Sequence, residues 1–412
     1  MITIENRPNY YSPVYNEHIF ICSSTNVTQP NFKYLVDIYD TSGTLLVSLK
    51  QPPNPSNGFL VFDAHRIIES YVSYDFTPGQ YGFLQNTNSY KGYYIKFGED
   101  YLVSGTLTDY PSQVQSVTIY GINAALPWRD YANYNSHYTS PLVLSNTDGQ
   151  FLTTPTAFNI LLNQSFYLHF INAVNNNVTA MRIRTHDAYG TLIGTYVAAN
   201  SYTNPATDAN KFLRVSVGTQ DVDNIPGITA TVGALPVITA NVASYDIVLQ
   251  NSANAITSPL ITFNISCECK YDTVRLHFLN KYGGFDAFNF TKINAETVTP
   301  TRQGYKRPYG TVTNISGTQT WGYNTYDRQN INFDTRYNST YHLISDWLQD
   351  ADIEWLRELV TSPVVFHEAN PGTFYAVNVT DAPYKVNKKK FEKVYNLELD
   401  IAYAEDNYRQ RS

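Results

Sequence analysis

Few residues of this 412-residue chain are spaced for chemistry. Cys267 and Cys269 are the first candidates. In a strand, alternate residues share a face, so the two thiols would lie about 6.6 Å apart along it. That permits a metal or redox pair. With Cys22 they make an odd total of three, without regular spacing, and no further Cys cluster or His-x-x-His pattern completes four ligands. The expectation is three reduced, partly buried thiols. The eight histidines are scattered singly, and His169 and His277 sit in apolar runs as expected core residues. A glycosidase needs two facing carboxylates, for which Asp352, Glu354 and Glu368 are poor candidates. The chain has no phosphate-cradling glycine loop, nucleophile elbow, His-Glu-x-x-His pair or calcium loop. The expected class is non-enzymatic, with no catalytic residue, cofactor or metal.

Composition points to strands. Aromatics make up 15%, with 35 Tyr and 21 Phe, while charged residues are also only 15%. Aromatic and β-branched side chains fit a pleated, half-buried surface, and charge-poor composition disfavours exposed helices. Tyr also serves protein interfaces, so a total this high implies surface shared with other chains. The net charge of −7 carries no basic bias for nucleic acid. No apolar h-region opens the chain, and no run reaches the length of a membrane span. The protein is expected to be made in a cytoplasm.

These residues would be positioned by one turn used three times. Asp40-x-x-Gly43-Thr-Leu45 and Asp187-x-x-Gly190-Thr-Leu192 end alternating runs at an offset of 147 residues, and Asn280-Lys-Tyr-Gly-Gly284 ends a third. Gly accepts positive φ without steric cost, so each reads as a β-hairpin. Short strands with turn signals every 8–12 residues predict tandem immunoglobulin- or fibronectin-III-like β-sandwich modules. The expected divisions are 1–126, a linker at 127–138, a second sandwich at 139–257, and a β-rich domain at 258–412. The last holds one short helix near 352–361, with Asp352 as N-cap. Ala64 to Tyr71 reads as a further two-turn segment, and a second hairpin is expected around Gly98.

Candidate interface residues lie between and beyond these modules. The linker carries Trp128, Tyr131 and Tyr134. After Pro300 the chain reads as loop, and Tyr305 and Arg307 mark either a contact arm or an ordinary hairpin tip. From Phe391 to Tyr403 odd positions are apolar except Lys393, which predicts one strand of about 43 Å holding Tyr395 and Tyr403. Lys388, Lys389 and Lys390 precede it as guards of an open edge.

Two stretches resemble a known group: Phe278-Leu-Asn-Lys-Tyr-Gly-Gly-Phe-Asp286 and Trp355-Leu-Arg-Glu-Leu-Val-Thr-Ser-Pro-Val-Val-Phe366. With the tandem modules, they make the chain similar to structural virion proteins of tailed phages infecting Bacteroidota, including crAss-like phages. The likeness is specific over the C-terminal third and one of style elsewhere. It implies a virion part of the tail or baseplate, or else of the neck or head, and it carries no catalytic residues across. The expected partners are copies of itself and other virion proteins, joined through symmetric interfaces. The alternatives are a glycan-binding adhesin that recognises a host-surface glycan, and a capsid decoration or head-fibre protein.

Overall fold

The computed structural model describes residues 1–134, 151–172, 177–266, 270–380 and 396–409. It is mainly β, with 49% of residues in strands and 8% in helices. The chain clusters into two compact units. One is Met1–Glu268 with His277–Phe288 and Asn370–Thr373. The other is Cys269–Leu276, Asn289–Ala369 and Phe374–Ser412.

The first unit opens with β1 (Ile2–Asn6), β2 (Tyr11–Pro13), β3 (Ile19–Ser24), β4 (Lys33–Asp40), β5 (Leu45–Gln51) and β6 (Leu60–Asp63). A short helix α1 (His65–Ile68) follows, as the sequence predicts. Then come β7 (Phe83–Gln85), β8 (Tyr90–Val103), β9 (Thr106–Gln115) and β10 (Ile119–Ile122). The three-stranded sheet β1-β3-β6 faces the sheet β2-β10-β8-β4-β5, on which β9 pairs with β8. Between them the alternating apolar residues close one core, including Phe20, Cys22, Leu60, Tyr34, Val36, Ile95 and Phe97. Burial pushes the Cys22 thiol up to about 12, so it stays protonated and inert.

The chain next forms α2 (Trp128–Tyr134), then β11 (Ala157–Ile160), β12 (Tyr167–Ile171), β13 (Ala180–His186), β14 (Leu192–Ala199), β15 (Phe212–Ser216), β16 (Thr229–Val232), β17 (Ser244–Gln250) and β18 (Ile261–Ile265). The larger sheet runs β11-β18-β17-β13-β14-β16. Its first five strands repeat the order β2-β10-β8-β4-β5. In both, only the first pair is parallel. The repeat read from the turns is therefore a repeat of topology as well. The smaller sheet is β12-β15-β7, so its outer strand comes from upstream of β8.

The repeated turn has one mechanism. In each copy the first residue's Oδ1 accepts two backbone N–H groups: Ser42 and Thr44 on Asp40, Tyr189 and Thr191 on Asp187, Tyr282 and Gly284 on Asn280. The fourth residue has positive φ: 86° at Gly43, 79° at Gly190 and 82° at Gly283. The third copy joins β19 (Val274–Leu279) to β20 (Phe285–Phe290). A Cβ on Gly190 would meet nothing within 4 Å, whereas one on Gly283 would lie 2.4 Å from the Asn123 carbonyl oxygen. Gly190→Ala should therefore cost about 1 kcal/mol. Gly283→Ala adds a clash with backbone and should cost about 2–4 kcal/mol. Urea unfolding of the two variants checks this, and equal costs would sink the packing argument.

Gly98 does not make the turn expected of it. β8 runs straight through, and the turn is Ser104-Gly105, with φ of 51° and 85°. Gly98 instead sits where the β8–β9 register shifts, and a Cβ there would lie 2.5 Å from the Tyr110 oxygen. It marks a close backbone approach, the other reason for Gly within a strand.

The second unit holds β21 (Ala295–Lys306), β22 (Thr311–Ile315), β23 (Thr318–Gly322), β24 (Asn330–Ile344), α3 (Asp350–Thr361), β25 (Val365–Asn370), β26 (Thr373–Val379), β27 (Glu398–Tyr403) and β28 (Asn407–Tyr408). Its sheet runs β25-β26-β27-β24-β21, with β28 on β24. α3 is N-capped by Gln349, not by Asp352. Asp352 is the third residue of a capping box, and its carboxylate accepts the Gln349 N–H at 3.0 Å. Helix α2 is one the sequence does not lead us to expect. The predicted 391–403 strand is shorter, since β27 starts at Glu398 and Leu397 lies outside the ladder. The Leu397 N–H donates to Ser345 Oγ at 2.7 Å instead. The odd positions Leu397, Leu399 and Ile401 are buried as the alternation requires. Residues 391–395 lie outside the described residues.

Candidate functional site: an exposed arm and the groove at its base

The region read as loop after Pro300 is the longest hairpin among the described residues. β21 pairs with β24 from Ala295–His342 to Lys306–Asn330. Twelve residues of strand span about 40 Å. Period-two patterning fails here because neither face of β21 is buried: every residue of it is exposed. Pro300 is tolerated because β21 is the edge of its sheet. On β24, β27 covers Thr340 to Ile344 and β28 covers Arg336 and Tyr337. Among the described residues the outer part of the arm, from Gln303 to Asp334, is thus a two-stranded ribbon with both edges open. Its end is a second hairpin, β22–β23, turned by Ser316 and Gly317 at φ 53° and 85°. Behind it Tyr309, Trp321 and Tyr323 cluster, with ring centroids 5.1–5.9 Å apart. Trp321 is 58% exposed and Tyr326 78%.

At the base of the arm one face of the sheet forms a groove of about 1030 Å³. Glu296, Val298, Pro300 and Arg302 of β21 line one side. Thr335, Tyr337 and Ser339 of β24 form the floor, and Tyr375, Tyr403, Glu405, Asn407 and Arg409 complete it. Tyr403 lies edge-on to Tyr341 and to Tyr375, at 5.6 and 5.9 Å, and its hydroxyl is 3.0 Å from His367 Nδ1. Burial, with Tyr403 and Glu296 alongside, pushes Tyr341 up to about 12. Burial likewise holds His367 below its ordinary range. The hydroxyls therefore stay protonated and available as donors at neutral pH.

The candidate residues named from sequence fall in several places. Tyr305 and Arg307 are on the arm, where Tyr305 packs on Phe333 and the Arg307 N–H donates to Gln329. Tyr403 is a groove residue. In α2, Trp128 is 75% exposed while Tyr131 packs on the core formed by Tyr11, Tyr120 and Leu126 and bonds the Glu17 carbonyl. Tyr134 closes α2, and its side chain falls outside what is described. Lys388, Lys389, Lys390 and Tyr395 lie outside the described residues, as do Cys267 and Cys269. Sequence reading missed Trp321, Tyr337 and Arg409: the abundance of Tyr is the only signal for Tyr337 and nothing marks the other two, while Arg302 falls within the 301–310 stretch already read as a contact arm or hairpin tip.

Among the described residues no group of three or more His, Cys, Asp or Glu is placed to hold a metal. His169 and His277 are buried, and His169 Nδ1 meets the Asn86 side chain at 2.9 Å. Among the described residues no helix is long and apolar enough to cross a membrane. Comparison with protein-family models and with curated protein sequences finds no match for the chain.

Proposed function

We propose that this protein is a non-enzymatic structural component of a tailed-phage virion, of its tail or baseplate, which assembles with further copies of itself through the 295–344 arm. The observation that carries the assembly reading is the bare ribbon. An isolated two-stranded hairpin is marginal in water, and open edges invite strand addition. Trp321, Tyr323 and Tyr326 are the residue types that anchor interfaces. Charge names the partner. Residues 301–336 hold five Lys or Arg against two Asp, a net +3 in a chain of −7, so the remainder carries −10. A basic arm and an acidic remainder are complementary between copies. The likeness of 278–286 and 355–366 to tailed-phage virion proteins supports the placement in a particle.

Light scattering at two concentrations and two ionic strengths tests the reading. The full chain should assemble, and less so at high salt. A variant with a short turn in place of 301–336 should be monomeric with an unchanged melting temperature. A full chain that stays monomeric under all conditions would overturn self-assembly.

A further inference from the structure

The groove at the base of the arm is built for a small ligand. Arg302 is the rung partner of Thr335, and the Arg409 N–H donates to the Thr335 carbonyl at 3.0 Å, so both arginines flank one rung. Both line the groove. Among the described residues neither guanidinium is within ion-pair distance of a carboxylate, although Arg336 on the opposite face is paired with Asp334. The Arg409 guanidinium lies 4.9 Å from the Tyr337 ring centroid, which fixes its plane. Two like charges on one rung repel unless an anion joins them, and the planar fork of Arg matches a carboxylate.

The rest of the groove says what else the ligand carries. Glu296 stands six residues along β21 from Arg302, about 20 Å away, next to Tyr341 and Tyr403. Glu405 and Asn407 line the same space. These carboxylates would repel a nucleic acid or a polyanionic glycan, and they accept hydrogen bonds from hydroxyls. On the floor strand β24, Arg336, Tyr337 and Thr340 to His342 are already bonded into the sheet on both sides, which leaves little floor backbone for a peptide to pair with. Tyr375, 49% exposed, offers a ring face for the apolar face of a sugar.

We infer that this groove binds an oligosaccharide bearing a single carboxylate, with the acidic sugar at Arg302 and Arg409 and neutral sugars along Tyr375 and Tyr403 toward Glu296. The site is set apart from Trp321, Tyr323 and Tyr326, because its residues lie at the base of the arm and not at its tip; Arg302 is shared with the basic 301–336 segment.

Calorimetric titration of the full chain tests it. The probes are a tetrasaccharide ended by glucuronic acid and the same tetrasaccharide with that carboxyl reduced to the alcohol. The acidic probe should bind about 10–100-fold more tightly than the neutral one, the span of a charge-assisted pair. Arg302→Gln with Arg409→Gln should reduce that ratio to near one, Tyr375→Ala should weaken both probes alike, and Trp321→Ala should change neither. Circular dichroism melting of each variant separates lost binding from lost fold. Absence of saturable binding by the folded wild-type chain overturns the inference, as does equal affinity for both probes. Loss of assembly in the double arginine variant, without saccharide binding by the wild type, would assign the groove to a carboxylate of a second copy and also overturns it.

Discussion

Replacing Glu368 with alanine should destabilise the second unit by about 3–5 kcal/mol. Glu368 and Arg275 form an ion pair, Nε to Oε2 at 3.1 Å, with side chains 3% and 2% exposed. Arg275 Nη1 also donates to Asn289 Oδ1 at 3.0 Å, which fixes the guanidinium but adds no negative charge. Removing the carboxylate takes one charge out of a buried pair, so Glu368 no longer offsets the cost of holding the Arg275 cation away from water. Removing both charges is a different matter, because it also removes the cost of burying them. The Arg275→Met, Glu368→Leu double variant should therefore recover most of the loss. Urea unfolding followed by far-ultraviolet circular dichroism measures both, with the units allowed separate transitions. A double variant as unstable as Glu368→Ala would show that packing volume, not charge, is what the pair supplies.

Acid should destabilise the first unit across a window set by His18. That ring is fully buried, with Nδ1 2.9 Å from the Tyr93 hydroxyl and Nε2 3.1 Å from the Pro13 carbonyl. The two contacts suit a neutral ring that accepts from Tyr93 and donates to Pro13. Burial lowers the His18 pKa to about 4, against an ordinary 6.5. The unfolded chain therefore binds the proton first as pH falls. The stability is complete above pH 6.5 and is lost progressively between 6.5 and 4, by about 3 kcal/mol. His169 acts in the same direction, since burial and the nearby Arg214 hold it well below its ordinary range. Asp63, held below the usual carboxylate range despite its burial by hydrogen bonds from His65 and His18, loses its contribution only at lower pH. His18→Gln should be less stable at pH 7 yet show a flatter dependence from 6.5 to 4. An unchanged slope in that variant would remove His18 from the account.

The parts of the fold that were legible are those where geometry dictates residue type. Asp40, Asp187 and Asn280 each need a side-chain acceptor, and Gly43, Gly190 and Gly283 each need positive φ, so the motif shows in the letters. A fourth copy does not show. Asn251 Oδ1 accepts the N–H groups of Ala253 and Ala255, but the positive-φ position is Asn254, at 59°. Asn tolerates that conformation without announcing it. The strands of the arm were unreadable for a different reason, although 301–310 was marked as a contact arm or a hairpin tip. A hydrophobic pattern records a buried face, and β21 has none. The groove was unreadable because its lining comes from four separated stretches that only pairing brings together. Tyr403 was picked out by the alternation of its strand and Arg302 lay in the marked 301–310 stretch, whereas nothing in the sequence marks Arg409.

The strand β7 carries a consequence for how the chain is made. The core between β1-β3-β6 and the sheet of β4 and β8 draws only on residues up to Ile119, so it can close early in synthesis. Phe83, Leu84 and Gln85, however, pair with Val215, Arg214 and Leu213. Roughly 130 residues must be added after β7 before its partner leaves the ribosome. At ribosomal rates that is a delay on the order of ten seconds. During it, an apolar segment centred on Phe83 waits without a sheet, on a nascent chain whose first domain has already folded. In a polysome, where many such chains stand side by side, that interval is when the wrong neighbour could claim it.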